Sequence, residues 1–250
     1  MATWEGAWMS TWRGAWMLLK HDMKSSGSSI VFIIAFLLYL TLMLVPFLVG
    51  AIKNQSSDQY NWIIDLLYIT VLLTSLSAVG GRLKWLGWLT TPFSEKIVVW
   101  RTLPITSEQI TVFRIMQLFI VAFSSQLVFY MILVAAMIIM KVEVVFLQLF
   151  LFACFWFCIG LMINFVTIYL ELVKSAKVYS IGFYGFAIVQ VVVILVLGIV
   201  RKSSLVLTTL ALPTRELWIY STVALIVLSA IYLLGWQMIS RKMRERSFIV

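Results

Sequence analysis

Six long runs of mostly apolar residues dominate this chain, at positions 30–52, 62–79, 115–140, 144–170, 178–200 and 217–240. At 1.5 Å of rise per residue each is long enough to cross roughly 30 Å of hydrocarbon as a helix. Together they take up more than half of the 250 residues. The runs are continuous, whereas membrane β-strands alternate apolar and polar residues over about ten positions. Composition agrees: 63% of residues are hydrophobic and 12% charged, against about 45–50% and 25% in soluble domains. Too little polar surface is left to cover a water-soluble globule. The expected fold is an all-α polytopic membrane protein with six transmembrane helices, forming one transmembrane domain over residues 1–250.

Only Asp65 carries a charge inside any run, four residues into the second. A carboxylate at mid-bilayer costs roughly 2.5–3.5 kcal/mol and far less near an interface, so Asp65 reads as a solvated end residue. The third run extends beyond the bilayer. Leu103-Pro104-Ile105-Thr106-Ser107-Glu108-Gln109 reads as a helix start, with Thr106 as N-cap and Gln109 completing a capping box. From Ser107 to Met140 such a helix would measure about 51 Å. Its first turns, with Glu108 and Arg114, are expected to project into water or headgroups. Only Lys141, Val142 and Glu143 then precede the fourth run, which predicts a tight antiparallel hairpin.

An even number of spans puts both termini on one side. Arg13, Lys20, Lys24, Arg82, Lys84, Lys96, Arg101, Arg114, Lys174, Lys177, Arg241, Lys242, Arg244 and Arg246 fall there, 14 of the 19 basic residues. Lys53, Lys141, Arg201, Lys202 and Arg215 fall opposite. The positive-inside rule therefore predicts both termini in the cytoplasm, and the expected location is the plasma membrane. The net charge of +9 reads as a topology signal and not as a nucleic-acid footprint, because the charges flank the spans. The basic stretch Arg241–Arg246 reads as a stop-transfer flank or as a contact for anionic headgroups. No small-residue cleavage site follows the first run, so that run reads as an anchor and not as a cleavable signal.

Residues 1–29 carry Trp4, Trp8, Trp12 and Trp16 at four-residue intervals, one stripe on a helix. Tryptophan favours the membrane–water boundary. With Arg13, Lys20 and Lys24 alongside, the segment reads as an amphipathic interfacial helix, either a passive anchor or an elbow that passes movement to the first span. Gly6 and Gly14 weaken that helix. The longest cytoplasmic connection, 82–106, holds Phe93, Glu95, Lys96 and Arg101 between breaks at Pro92 and Pro104. It reads as a short helix that contacts a soluble partner, or as a merely structural loop. On the opposite face, polar Arg201–Ser204 is followed by an apolar stretch up to Pro213. This reads as a re-entrant segment or as a loop in the outer headgroups.

Catalytic chemistry has no sequence support. Phosphate-loop, H-E-x-x-H and G-x-S-x-G patterns are absent from the sequence. One histidine, His21, and two cysteines, Cys154 and Cys158, cannot make a His- or Cys-rich metal site. The cysteines read as small buried hydrophobes among aromatic neighbours. Deep polar residues are neutral, among them Thr74, Ser75, Gln126, Asn164 and Gln190. They read as interhelical hydrogen-bonding groups or as the lining of a path for an amphipathic solute. Ion coupling usually needs ionisable residues at that depth.

These features resemble the permease subunits of type-2 ABC exporters, as found in bacteria: an interfacial N-terminal helix, six spans, both ends inside and an extended loop between spans two and three. The most specific match is Arg101-Thr102-Leu103-Pro104-Ile105-Thr106-Ser107-Glu108-Gln109-Ile110, followed by Arg114. It is similar to the family's L-P-hydrophobic-Ser/Thr segment before a long third helix. The stretch before the sixth span resembles the family's extracellular re-entrant element. The resemblance implies a second copy or a paralogue as partner, with separate ABC ATPase subunits that bind ATP and magnesium. It implies a coupling helix containing Phe93, Glu95, Lys96, Arg101, Leu103 and Pro104, and a connecting helix carrying Trp8, Trp12, Arg13, Trp16 and Lys20. The expected activity is export of an amphipathic peptide, drug or lipid-like molecule, with no cofactor in this chain. A scaffold that moves nothing and an ion-coupled secondary transporter are the rival readings.

Overall fold

The computed structural model describes residues 4–25, 27–54, 61–73, 105–142, 145–174, 176–201 and 204–245. Every regular element among them is helical. In chain order these are α1 (Trp4–Ser25), α2 (Gly27–Asn54), α3 (Asn61–Asp65), a π-helical stretch (Leu66–Leu73), α4 (Ser107–Ile139), α5 (Phe146–Val173), α6 (Ala176–Arg201), the short α7 (Leu205–Leu210) and α8 (Thr214–Glu245). Helices α4, α5 and α8, of 33, 28 and 32 residues, are long and apolar enough to cross a membrane. The chain is a helical membrane protein. Shorter apolar helical stretches occupy Thr41–Lys53 of α2 and Ile181–Leu197 of α6. The run 62–79 is described only as far as Leu73, and the loop segment 82–104 lies outside the described residues.

Helix α4 begins where the capping pattern places it. The Gln109 amide donates to Thr106 Oγ1 at 3.2 Å, and the Thr106 amide donates to Gln109 Oε1 at 3.0 Å. This reciprocal pair satisfies two of the orphan donors at the helix start. The helix then runs about 50 Å at 1.5 Å per residue. At its far end Lys141 takes a left-handed φ of 54°. The Val142 amide donates to Met137 O at 3.0 Å, closing the turn that sends α5 back antiparallel.

The α4–α5 hairpin is shared by two apolar cores stacked along its length. One joins Phe129, Leu133 and Met137 of α4 to Phe152 and Trp156 of α5, and adds Leu48 of α2, Tyr68 of the π-helical stretch and Val206 of α7. The other joins Ile110, Phe113 and Ala122 of α4 to Leu161, Phe165 and Leu172 of α5. It adds Ala15 and Leu19 of α1 with Ile239 and Met243 of α8. Helix α1 and the last turns of α8 therefore pack at the same end of the bundle, and α7 at the other. Helix α1 starts at Trp4 despite Gly6 and Gly14. Gly14 lets the Gln109 amide approach, since a Cβ there would stand 2.5 Å from Gln109 Nε2.

Helix α8 runs parallel to α5 and is tied to it at three successive levels. Ser221 Oγ donates to Leu151 O at 2.9 Å, Tyr232 OH to Leu161 O at 3.3 Å, and Lys242 Nζ to Tyr169 OH at 3.1 Å. Between the upper two levels and the last, Gly235 faces the Phe165 ring, so closely that an added Cβ would overlap it. Close backbone approach through small residues is how membrane helices gain packing energy when lipid is as apolar as they are. Trp218, Val223, Ile226, Leu233 and Leu234 of α8 remain exposed, a surface that suits hydrocarbon. Gly235→Val is expected to lower stability by about 1–3 kcal/mol, the usual cost of overpacking. Thermal unfolding in detergent checks this, and adding Phe165→Leu should recover most of the loss.

Candidate functional site

The two ends of the bundle each carry a buried polar assembly, and neither faces water. At the α1 end, Arg114 is 4% exposed. Its Nη2 and Nε donate to Glu171 Oε2 at 2.6 and 3.0 Å. Its Nη1 donates to Gln117 Oε1 at 2.6 Å, and Gln117 Nε2 donates to Asp22 Oδ2 at 3.2 Å. One network thus links α5, α4 and α1. The sequence reading had Arg114 projecting into water or headgroups, and the structure corrects it. The first turns of α4 are walled in by α1, α5 and α8, so the guanidinium stays inside and takes an acid from α5. Glu171 lies just beyond the fourth apolar run, inside the last turn of α5.

At the opposite end Asp65 is 1% exposed, which overturns its reading as a solvated end residue. Its Oδ1 accepts from Ser204 Oγ at 2.5 Å and from the Val206 amide at 2.9 Å, and its Oδ2 accepts from the Leu205 amide at 2.5 Å. These amides open α7, whose first N–H groups have no partner within the helix. A carboxylate there meets the positive end of the peptide dipoles. Ser204 Oγ in turn accepts from the Leu207 amide at 3.0 Å. Two side chains of α5 hold the rest of the segment. Trp156 Nε1 donates to Thr209 Oγ1 at 3.1 Å, and Gln148 Nε2 donates to Leu210 O and Leu212 O at 2.6 and 3.0 Å. Residues 204–212 are therefore folded onto the bundle, with Val206 fully buried. Beneath them Tyr68 and Tyr130 share a hydrogen bond of 2.7 Å, and the Tyr68 ring meets Trp156 edge-on at 5.3 Å.

The neutral polar residues singled out from the sequence are dispersed. Gln126 is buried on α4 between the two cores, with neither amide atom hydrogen-bonded. Asn164 is buried on α5 and donates from Nδ2 to Gly160 O at 2.7 Å. Gln190 lies half-buried on α6 with its Oε1 unbonded. Since the Gln126 amide makes no hydrogen bond, these three do not form one bonded path. Thr74 and Ser75 lie outside the described residues, as do Phe93, Glu95, Lys96, Arg101, Leu103 and Pro104. On α1, Trp12 and Trp16 are about half exposed, at 53% and 52%, and Arg13 and Lys20 are exposed. Trp8 lies on the same helix. Cys158 is buried and Cys154 half-buried.

Sequence reasoning missed Asp22, Gln117, Glu171, Gln148 and the Tyr68–Tyr130 pair. One signal was present for Asp22: it shares a helix face with Ala15 and Leu19 at i, i+4 and i+7 spacing, and all three are buried. No group of three His, Cys, Asp or Glu among the described residues is placed to hold a metal. No family model, no curated protein and no solved structure matches the chain.

Removing one partner of a buried ion pair leaves an uncompensated charge, at a cost of about 3–5 kcal/mol, while replacing both by apolar groups is often neutral. Glu171→Ala is accordingly expected to destabilise the bundle strongly, and Arg114→Met with Glu171→Leu to recover most of that loss in thermal unfolding. Asp65→Leu strands two backbone amides and a hydroxyl, each costing about 1–3 kcal/mol when left unsatisfied. It should expose residues 204–212 to protease while the Arg114 end stays protected.

Proposed function

We propose that this chain is the transmembrane permease subunit of an ATP-driven exporter of the type-2 ABC kind. It would span the plasma membrane six times with both termini in the cytoplasm, and would work beside a second copy or a paralogue. The observation that carries this reading is the clamp on the first turns of α4. The capping box fixes the backbone at Thr106, the last residue of the loop 82–106, and Arg114 and Gln117 connect the first turns of α4 to Glu171 of α5 and Asp22 of α1. A push delivered at the end of that loop would move three helices together. This is what a coupling element needs when ATP is hydrolysed on a separate chain.

In this reading Phe93, Glu95, Lys96, Arg101, Leu103 and Pro104 receive the ATPase, and α1 is the connecting helix. ATP and magnesium are bound by the partner, and this chain performs no chemistry itself. The segment 204–212 closes the outer end of the bundle while an amphipathic cargo is bound from the inner side or the bilayer. Thr74, Ser75, Gln126, Asn164 and Gln190 would line the path of such a cargo, with the unbonded amide of Gln126 as its first polar contact. The buried carboxylates Asp65 and Glu171 are each engaged by fixed donors, which suits structural locks better than carriers of a coupling ion.

The test is a pull-down of the native protein in mild detergent or nanodiscs, read by mass spectrometry and ATPase assay. A stoichiometric nucleotide-binding subunit is expected, lost when residues 93–103 are scrambled in a protein that still inserts. A protein that comes down alone, with no ATPase in several mild conditions, would overturn the exporter reading in favour of a scaffold.

A further inference from the structure

We infer that the end of the bundle built by α1, the start of α4 and the close of α8 binds anionic phospholipid headgroups of the adjoining leaflet. The inference does not depend on the exporter reading. It starts from the way charge is sorted at that end. The acids there are turned inward: Asp22 and Glu171 are buried, at 8% and 5% exposure, and are held by Gln117 and Arg114. Glu108, in the first turn of α4, is half-buried. Apart from Arg114, which is buried against Glu171, the bases described at this end are turned outward. Arg13 and Lys20 of α1, Lys174 at the end of α5, and Arg241, Lys242 and Arg244 of α8 are all exposed. Glu245 is the exposed acid among them in the described residues, and it sits 3.3 Å from Arg241.

Packing brings these bases to one end of the bundle. Ala15 and Leu19 of α1 share a core with Ile110 and Phe113 of α4 and with Ile239 and Met243 of α8. Thr111 Oγ1 meets Met243 Sδ at 3.8 Å. Arg13 and Lys20 of α1 and Arg244 of α8 thus lie on the two helices that pack against the α4 start. The same α1 carries Trp12, Trp16 and Met17 with more than half of each exposed, although Ala15 and Leu19 beside them are buried. An exposed tryptophan pair between basic side chains suits a headgroup boundary, where the rings take the acyl side and the cations the phosphates. An acidic soluble protein would use the bases but would leave the tryptophans in water, so the lipid is the better occupant. Lys and Arg near an anionic membrane surface are each worth about fivefold in affinity.

The test titrates the purified full-length protein, in neutral detergent, with phosphatidylglycerol or with phosphatidylcholine, and counts bound lipid by native mass spectrometry. Wild type is expected to saturate with phosphatidylglycerol at much lower concentration than with phosphatidylcholine. The triple variant Arg13→Gln, Lys20→Gln, Arg244→Gln should raise the phosphatidylglycerol half-saturation by about a hundredfold and leave phosphatidylcholine binding unchanged. The control variant Lys53→Gln, Lys141→Gln, Arg215→Gln removes three exposed charges away from this end and should alter neither. Equal binding of the two lipids by wild type would overturn the inference. So would equal losses in both triple variants, or a first variant that keeps its lipid and loses a co-purifying acidic protein. If that variant fails to fold, ionic strength decides: the preference must collapse between 0.1 and 1 M salt, as the Debye length falls from about 10 to 3 Å.

Discussion

A guanidinium shut away from water must be met by an acid, and in this protein Arg114 meets Glu171 at 2.6 Å. The pair sits where α4 and α5 would otherwise be held by apolar side chains, for which lipid is a closer substitute than water. Arg114 and Glu171 cannot be replaced that way. Their geometry sets the register of the hairpin at one end, as the Lys141 turn does at the other. With α4 and α5 in register, Phe129 and Phe152 close one core, while Phe113 and Leu172 close the second. Helix α1 joins through Asp22, and α8 lies along α5. The apolar cores give the bundle bulk, and the polar pair gives it a unique alignment.

The far end obeys the same rule with different groups. Buried backbone amides need partners as much as charges do. The two amides and the Ser204 hydroxyl that open α7 receive a carboxylate from α3, and two carbonyls that close the segment receive the Gln148 amide. The short stretch 204–212 is too small to satisfy itself, so its conformation is written in side chains of α3 and α5. This explains how a polar-then-apolar segment of this length lies on the bundle instead of trailing from it.

What the sequence made legible was whatever is decided locally. The start of α4 follows from Thr106 and Gln109, three residues apart, and the length of α4 follows from an uninterrupted apolar run. The turn at Lys141 follows from the shortage of residues between two runs. What stayed hidden was decided at a distance. Arg114 and Glu171 are 57 residues apart, and Asp65 and Ser204 are 139 apart. No periodicity announces such partners, and a charge at the edge of an apolar run reads as solvated until another helix is seen to cover it. The same holds for the Tyr68–Tyr130 pair, which looks like two ordinary aromatic residues in two apolar runs. The part of the candidate site resting on residues 93–104 is carried by sequence alone.

The parallel pairing of α5 and α8 also bears on how the protein is made. A ribosome delivers α5 well before α8, since 40 residues separate Val173 from Thr214. During that interval the flank of α5 with Leu151, Leu161, Phe165 and Tyr169 stands in lipid without the helix that will cover it. Insertion can proceed span by span, yet that side of α5 is closed only after Ser221, Tyr232 and Gly235 have passed the translocon. Assembly of the α5–α8 pair is therefore a lateral docking step that follows synthesis of α8, and until then α5 presents a helix flank that the folded bundle conceals.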